Sequence, residues 1–168
     1  MFEIIFLVLF TVVLLFSFVI LFGAPYLPTT KAQVSAALDL LGLKKDQTLL
    51  ELGAGDGSVS LAALRCGLKV TAIELNPILC VVIFFRTFSY RSKITITCGN
   101  FWRVEWGSYD GVYVFLLDKY MKRLDNKLIH EHFVGKLASF AFQIPSKKHA
   151  LEKSGIYLYK YTTRPPDY

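Results

Sequence analysis

The chain has 168 residues, room for one domain plus extras, and its hydrophobic fraction of 54% with a mean hydropathy of +0.44 is too high for an ordinary soluble domain. Its net charge is +6, but the Lys and Arg are scattered rather than gathered into a basic block, so nucleic acid is not expected as a partner. Attraction to anionic lipid headgroups is the simpler account of the charge.

The apolar excess sits at the front. Ile4 to Phe22 carries no charge and is broken only by Thr11 and Ser17. As a helix rising about 1.5 Å per residue, it comes just short of the roughly 30 Å of a bilayer core. A cleaved signal peptide would want basic residues before the run and a small-x-small site after it, whereas the chain opens Met1-Phe2-Glu3. Residues 1–23 are therefore expected to anchor the chain in membrane lipid, and residues 24–168 to form the working domain. Lys31, Lys44 and Lys45 follow the run and no basic residue precedes it. The expectation is a single-pass protein of the cell membrane with its domain on the cytoplasmic side. Cys66, Cys80 and Cys98 show no CxxC or metal-type spacing and read as small buried hydrophobes in a reducing compartment.

Gly23 to Thr29, with Pro25 and Pro28, reads as a stiff extended connector. Thr30 and Gln33 form a capping box for a helix running through Leu41 and stopped by Gly42. Thr48–Leu52 is the first strand, and Ser58–Arg65 a helix closed by Gly67. Lys69–Glu74 is the second strand. Asn76 caps a helix with Pro77 at its first position, and that helix, Ile78 to about Phe88, is apolar almost all round. Burial between the sheet and its neighbours is the leading expectation for it; lying on a membrane surface or on the N-terminal helix is the alternative. Strands follow at Lys93–Thr97 and Gly111–Leu117, then an amphipathic helix at Lys119–His132 with Met121, Leu124 and Leu128 on one face. Leu137–Ile144 and Gly155–Tyr161 are the last strands. This alternation predicts an α/β, Rossmann-like fold, with a mostly parallel sheet and helices on both faces.

The chemistry concentrates between the first strand and its helix, where Glu51, Gly53, Ala54, Gly55, Asp56 and Gly57 spell E-x-G-x-G-x-G. Alternate glycines let a backbone turn sharply and approach a ligand with no Cβ in the way. No Lys-Ser/Thr follows Gly57, which removes a phosphate loop, and Ser58 stands where a dinucleotide fingerprint has its third glycine. Glu51 would repel a pyrophosphate and suit a cation. S-adenosylmethionine, with its sulfonium and ammonium, fits. Glu74 closes the second strand seventeen residues after Gly57, where an acid takes hydrogen bonds from ribose hydroxyls. Asn100 and Phe101 end the third strand: an adenine contact is weighed there against a turn residue and a core aromatic. Asp118 follows the fourth strand, either as an N-cap, the favoured reading, or as a carboxylate that orients or deprotonates an amine. His130-Glu131-His132 lacks the HExxH pattern and reads as a solvated turn, so no metal is expected.

The glycine motif resembles motif I of the class I S-adenosylmethionine-dependent methyltransferases. Within that class the chain is similar to the membrane-anchored FAM173-like protein-lysine methyltransferases. The matching pieces are Pro25-Tyr26-Leu27-Pro28-Thr29, Glu51 to Gly57, Ile73-Glu74-Leu75-Asn76-Pro77, Asn100 to Val104, Tyr109-Asp110, Phe140 to Pro145 and Gly155 to Tyr159. The resemblance implies a cofactor site of Pro28, Glu51, Gly53, Ala54, Gly55, Gly57, Glu74, Leu75, Asn100 and Phe101. It implies that Tyr26 and Thr29 help form the acceptor site, with Asp118 nearby, where relatives tend to have Pro. It also implies methyl transfer to lysine in a membrane-associated protein, by a monomer. Methylation of a lipid or small hydrophobic molecule, and a non-catalytic membrane scaffold, are the alternatives.

Overall fold

In the computed structural model, residues 2–22 (side chains of 2–13), 29–145 and 147–162 are described. The first helix, α1, runs Phe2–Phe22, and its described side chains lie exposed, Phe2 at 89% and Phe6 at 71%. Among the described residues no helix is long and apolar enough to cross a membrane. The span expected over Ile4–Phe22 is therefore not established by the fold.

The domain begins at α2, Lys31–Leu41. Its capping box forms as expected: Gln33 Oε1 accepts from Thr30 N at 2.8 Å and Gln33 N donates back to Thr30 Oγ1 at 3.4 Å. Gly42 ends the helix in the left-handed region and donates to the Leu38 carbonyl at 2.9 Å. The strand β1, Thr48–Leu52, the helix α3, Ser58–Arg65, and the strand β2, Lys69–Glu74, all keep their expected bounds. Next come α4, Pro77–Arg86, β3, Ile94–Cys98, and β4, Gly111–Val114. The chain finishes with α5, Met121–His130, β5, Gly135–Phe140, β6, Leu151–Lys153, and β7, Ile156–Tyr161.

The seven strands form one sheet in the order β3-β2-β1-β4-β5-β7-β6. The first five are parallel, and β7 runs antiparallel between β5 and β6. Alternation along the strands divides the core. Leu49, Val70, Tyr113 and Ala138 pack with α2 and α3 on one face. Leu50, Leu52, Val112, Val114 and Leu137 pack with Met121, Leu124 and Leu128 of α5 on the other. The expected Rossmann-like architecture is present. Among the described residues no helix forms in the passage from β3 back to β4; Phe101, Trp102, Val104, Trp106 and Tyr109 of that loop pack there instead.

Several boundaries differ, each for a local reason. The strand expected to reach Ile144 stops at Phe140, because Ala141 takes a φ of 67° and leaves the ladder. The helix expected from Lys119 begins at Met121, after a single 3₁₀ turn over Asp118–Tyr120. The edge strand β6 is an addition to the expected elements: Ser154 and Gly155, at φ 53° and 75°, make a two-residue turn that folds Leu151–Lys153 back onto β7. The leading expectation for α4 also fails. Only Cys80 and Ile83 are buried, while Val81, Phe84 and Phe85 face outward at 55%, 47% and 71% exposure.

Candidate S-adenosylmethionine site

The site is built where β1 and β2 end side by side. The register pairs Leu52 with Ile73, so Gly53 and Glu74 begin the turns that leave neighbouring strands. Gly53, Gly55 and Gly57 all have positive φ, 74°, 59° and 74°. That row of left-handed residues carries the chain from strand to helix, and only glycine adopts it without strain. Gly53 N and Ala54 N donate to the Ile73 carbonyl at 2.9 and 3.1 Å, which ties the turn to β2. Ala54 is buried against Ala72 and Ile83, so it serves as packing beneath the turn.

Glu74 joins the two halves. It is 7% exposed, and its carboxylate accepts from Gly55 N through Oε2 and from Asn76 N through Oε1, both at 2.8 Å. Its carbonyl accepts from Gly99 N at 2.8 Å, which brings in the end of β3. Asn76 caps α4 by accepting from Ile78 N at 2.9 Å, in keeping with its position before Pro77. Its Nδ2 is buried and has no partner among the described residues. A buried donor left unmatched costs about 1–3 kcal/mol, so a ligand acceptor fits there. Above Gly53 nothing lies within 4 Å of where a Cβ would be. An acid with free lone pairs, an orphaned donor and open space over a glycine turn suit a ribose diol. The residues present therefore fit the nucleoside end of S-adenosylmethionine.

Glu51 lies within β1, below the turn rather than in it, and is 2% exposed. Burial pushes its carboxyl up to about 8, against the pull of the hydrogen bond donated by Ser60. The negative charge expected to attract a cation is thus mostly quenched at pH 7. Beside it in the register stands Tyr113, buried at 3% and pushed by desolvation to about 12. The Tyr113 hydroxyl lies 3.5 Å from Thr29 Oγ1 and so reaches the segment just before α2. Tyr26 and Pro28 lie outside the described residues.

The start of α3 is not left as a free row of donors. Asp56 accepts from Ser58 N at 3.1 Å and from Ser58 Oγ at 2.9 Å, and Arg86 of α4 pairs with the same carboxylate. The glycine motif alone gives Asp56 no part, although Asp one residue before Gly57 and two before Ser58 is an ordinary turn signal.

The remaining candidates take the plainer of their two roles. Asn100 Oδ1 accepts from Trp102 N at 2.9 Å and so closes its own turn. Phe101 packs on the α5 side of the sheet, its ring 4.7 Å from that of Trp102. Leu75 is partly buried between Glu74 and Asn76. Asp118 is partly exposed just past β4 and caps neither the 3₁₀ turn nor α5, so the favoured N-cap role is not what the fold uses it for. Among the described residues no group of His, Cys, Asp and Glu could hold a metal. Glu131 is not simply solvated: its carboxylate accepts from Trp106 N at 2.7 Å and pairs with Lys127.

The likeness to known proteins agrees with this geometry. Residues 51–150 match the family model described as the ANTKMT methyltransferase domain. An ATP synthase lysine N-methyltransferase of Rattus norvegicus is 29% identical over 64% of this chain and 50% of its own length. The adenine nucleotide translocase lysine N-methyltransferase of Mus musculus is 32% identical over 73% of this chain and 55% of its own. The chain thus spans about half the length of these relatives. The fold superposes on an RNA methyltransferase from Salinibacter ruber in complex with S-adenosyl-L-homocysteine, with a TM-score of 0.73 at 21% identity, over 84% of this chain and 96% of that one. The glycine turn, its paired acid and the sheet around them are those of an S-adenosylmethionine-dependent methyltransferase, and the chain belongs to the ANTKMT methyltransferase domain family.

Proposed function

We propose that this chain is a protein-lysine N-methyltransferase held at the cell membrane by α1, with its domain on the cytoplasmic side. The observation that carries the reading is Glu74. One buried carboxylate holds both Gly55 of the glycine turn and Asn76 of the α4 cap, within a domain whose matched relatives are named for lysine methylation. S-adenosylmethionine supplies an activated methyl group for in-line displacement, so the protein's work is to hold donor and acceptor in line and to exclude water. Glu74 and Asn76 fix the nucleoside, and the open backbone at Gly53 admits the ligand closely. A lysine acceptor must lose its proton first, which burial at the carboxyl edge of the sheet favours. Asp118, just past β4 at that edge, is the carboxylate placed to orient the incoming amine. Thr29, reached by Tyr113, positions the segment from Tyr26 to Pro28 over the acceptor. The anchor rests on the unbroken apolar run Ile4–Phe22, on α1 as one helix from Phe2 to Phe22, and on the basic flank after it. It raises the effective concentration of the enzyme near a membrane-associated protein substrate.

The test is calorimetric binding of S-adenosylhomocysteine to the full chain in detergent. Wild type binds, and Glu74→Gln weakens binding at least about tenfold, a loss on the order of 1.4 kcal/mol. Absence of binding by wild type, or equal affinity in the variant, refutes the cofactor assignment. Mass spectrometry of membranes with and without the protein then addresses the acceptor. An unchanged methyl-lysine profile beside altered lipids would transfer the activity to a lipid.

A further inference from the structure

A helix that is apolar all round is normally a buried one. In α4 this expectation breaks down on one side only. Cys80 and Ile83 face the sheet, but Pro77, Val81, Phe84, Phe85 and Phe88, spaced at i, i+4, i+7, i+8 and i+11, all lie exposed. The rings form a group: Phe84 meets Phe85 at 5.6 Å and Phe88 at 5.7 Å, both edge to face. Arg91 lays its guanidinium over the Phe88 ring at 5.2 Å, and among the described residues it has no acidic partner. From Pro77 to Lys93 the sequence holds Arg86, Arg91 and Lys93 and no Asp or Glu. An outward apolar stripe with an exclusively basic margin is the pattern of a helix that lies in a lipid interface.

The geometry points to the outer face of α4 as a membrane-contact surface, seated in the headgroup–acyl boundary of a bilayer that bears anionic lipid. The inference rests on the reading of α1 as a tether. Residues 23–30 join α1 to α2 and span at most about 28 Å fully extended, so a membrane holding α1 stays within reach of the domain. Three features select lipid over a protein helix. The described side chains of α1 are themselves exposed, so α1 does not cover the stripe over its first half. The margin is uniformly cationic, which suits phosphate headgroups. Arg91 spreads across an aromatic face, with its apolar stem along the ring and its charge at the edge. The consequence for the reaction is orientation. Pro77 follows Glu74 and Asn76 directly, so seating α4 holds the cofactor turn at the bilayer surface, where a membrane-embedded lysine is presented.

The experiment places a reporter on the stripe. Full-length Phe85→Trp and wild type are reconstituted into phosphatidylcholine–phosphatidylserine vesicles and floated on a gradient, and the emission added by the new tryptophan is measured. Lipids brominated about 5–10 Å below the headgroups are expected to quench that added emission about twofold, with a blue-shifted maximum. The same reporter on the far side of the domain, in Ile129→Trp, is expected to remain unquenched. Flotation with an unquenched, water-like spectrum overturns the α4 surface while leaving the tether intact. Flotation with a blue shift but no quenching means that protein covers the stripe, and overturns it equally. Failure to float overturns the tether reading and the α4 inference with it.

Discussion

Replacing Glu51 with Gln tests whether the acid of the glycine motif is held neutral by the fold. The side chain is 2% exposed, and burial raises its carboxyl from an ordinary 4.5 to about 8. Between those values the folded chain keeps a proton that the unfolded chain has released, so the folded state loses stability as pH rises through the window. The limiting slope is about 1.4 kcal/mol per pH unit, several kcal/mol from pH 5 to pH 8. Glutamine keeps the shape and an acceptor for Ser60, but it has no proton to lose. Urea unfolding of both proteins in non-ionic detergent at pH 5, 6, 7 and 8 gives the difference directly, since every other titrating group cancels. The stability of Glu51→Gln relative to wild type should rise steadily with pH. Parallel curves would refute the neutral carboxyl and return Glu51 to the role of a fixed anion. A second consequence concerns ligand. If the methionyl ammonium is drawn to Glu51, binding must ionise the carboxyl, and calorimetry in buffers of different ionisation enthalpy should register a released proton.

Other positions give simpler outcomes. Asp110 accepts from Thr48 N and Oγ1 at 2.8 Å each and from Gln47 at 3.0 Å; the Thr48 N–H above all holds its carboxyl below the usual range. Asp110→Asn should cost about 1–3 kcal/mol at pH 7 and nothing once pH falls below the native carboxyl's value, by urea unfolding; an equal cost at both ends would refute the charge's part. Gly57→Ala would put a Cβ 3.0 Å from Ile83 Cγ1 at a φ of 74°, and should lower stability by about 1–3 kcal/mol in thermal denaturation. Tyr161 donates to the buried Asp125 at 2.6 Å, so Tyr161→Phe should lose about 1–3 kcal/mol while S-adenosylhomocysteine affinity stays unchanged.

Where local chemistry decides, the sequence could be read almost to the residue. The bounds of β1, α3 and β2 follow from glycine turns and strand periodicity, and the α2 and α4 caps from Thr30-Gln33 and Asn76-Pro77. Long-range contacts hid the rest. Nothing near Asp110 in sequence says that its carboxylate closes on Thr48, a strand away. An all-apolar helix offers no periodicity to tell its inner from its outer side, so the exposure of Phe84 and Phe85 was illegible. The edge strand β6 is short and carries Glu152 and Lys153, so its only signal was the Ser154-Gly155 pair. Asn100 and Phe101 sit where cofactor contacts are expected, and only the fold shows Asn100 spent on its own turn.

The central place of β1 has an outcome for synthesis. Both halves of the cofactor site, Gly53 to Gly57 and Glu74, have left the ribosome before Gly111 to Val114 is made, yet β4 is the strand that closes the second side of β1. Until then the glycine turn hangs from an open edge. A nascent chain halted before Asp110 carries every motif that names its cofactor, and has only half a sheet to hold them in place.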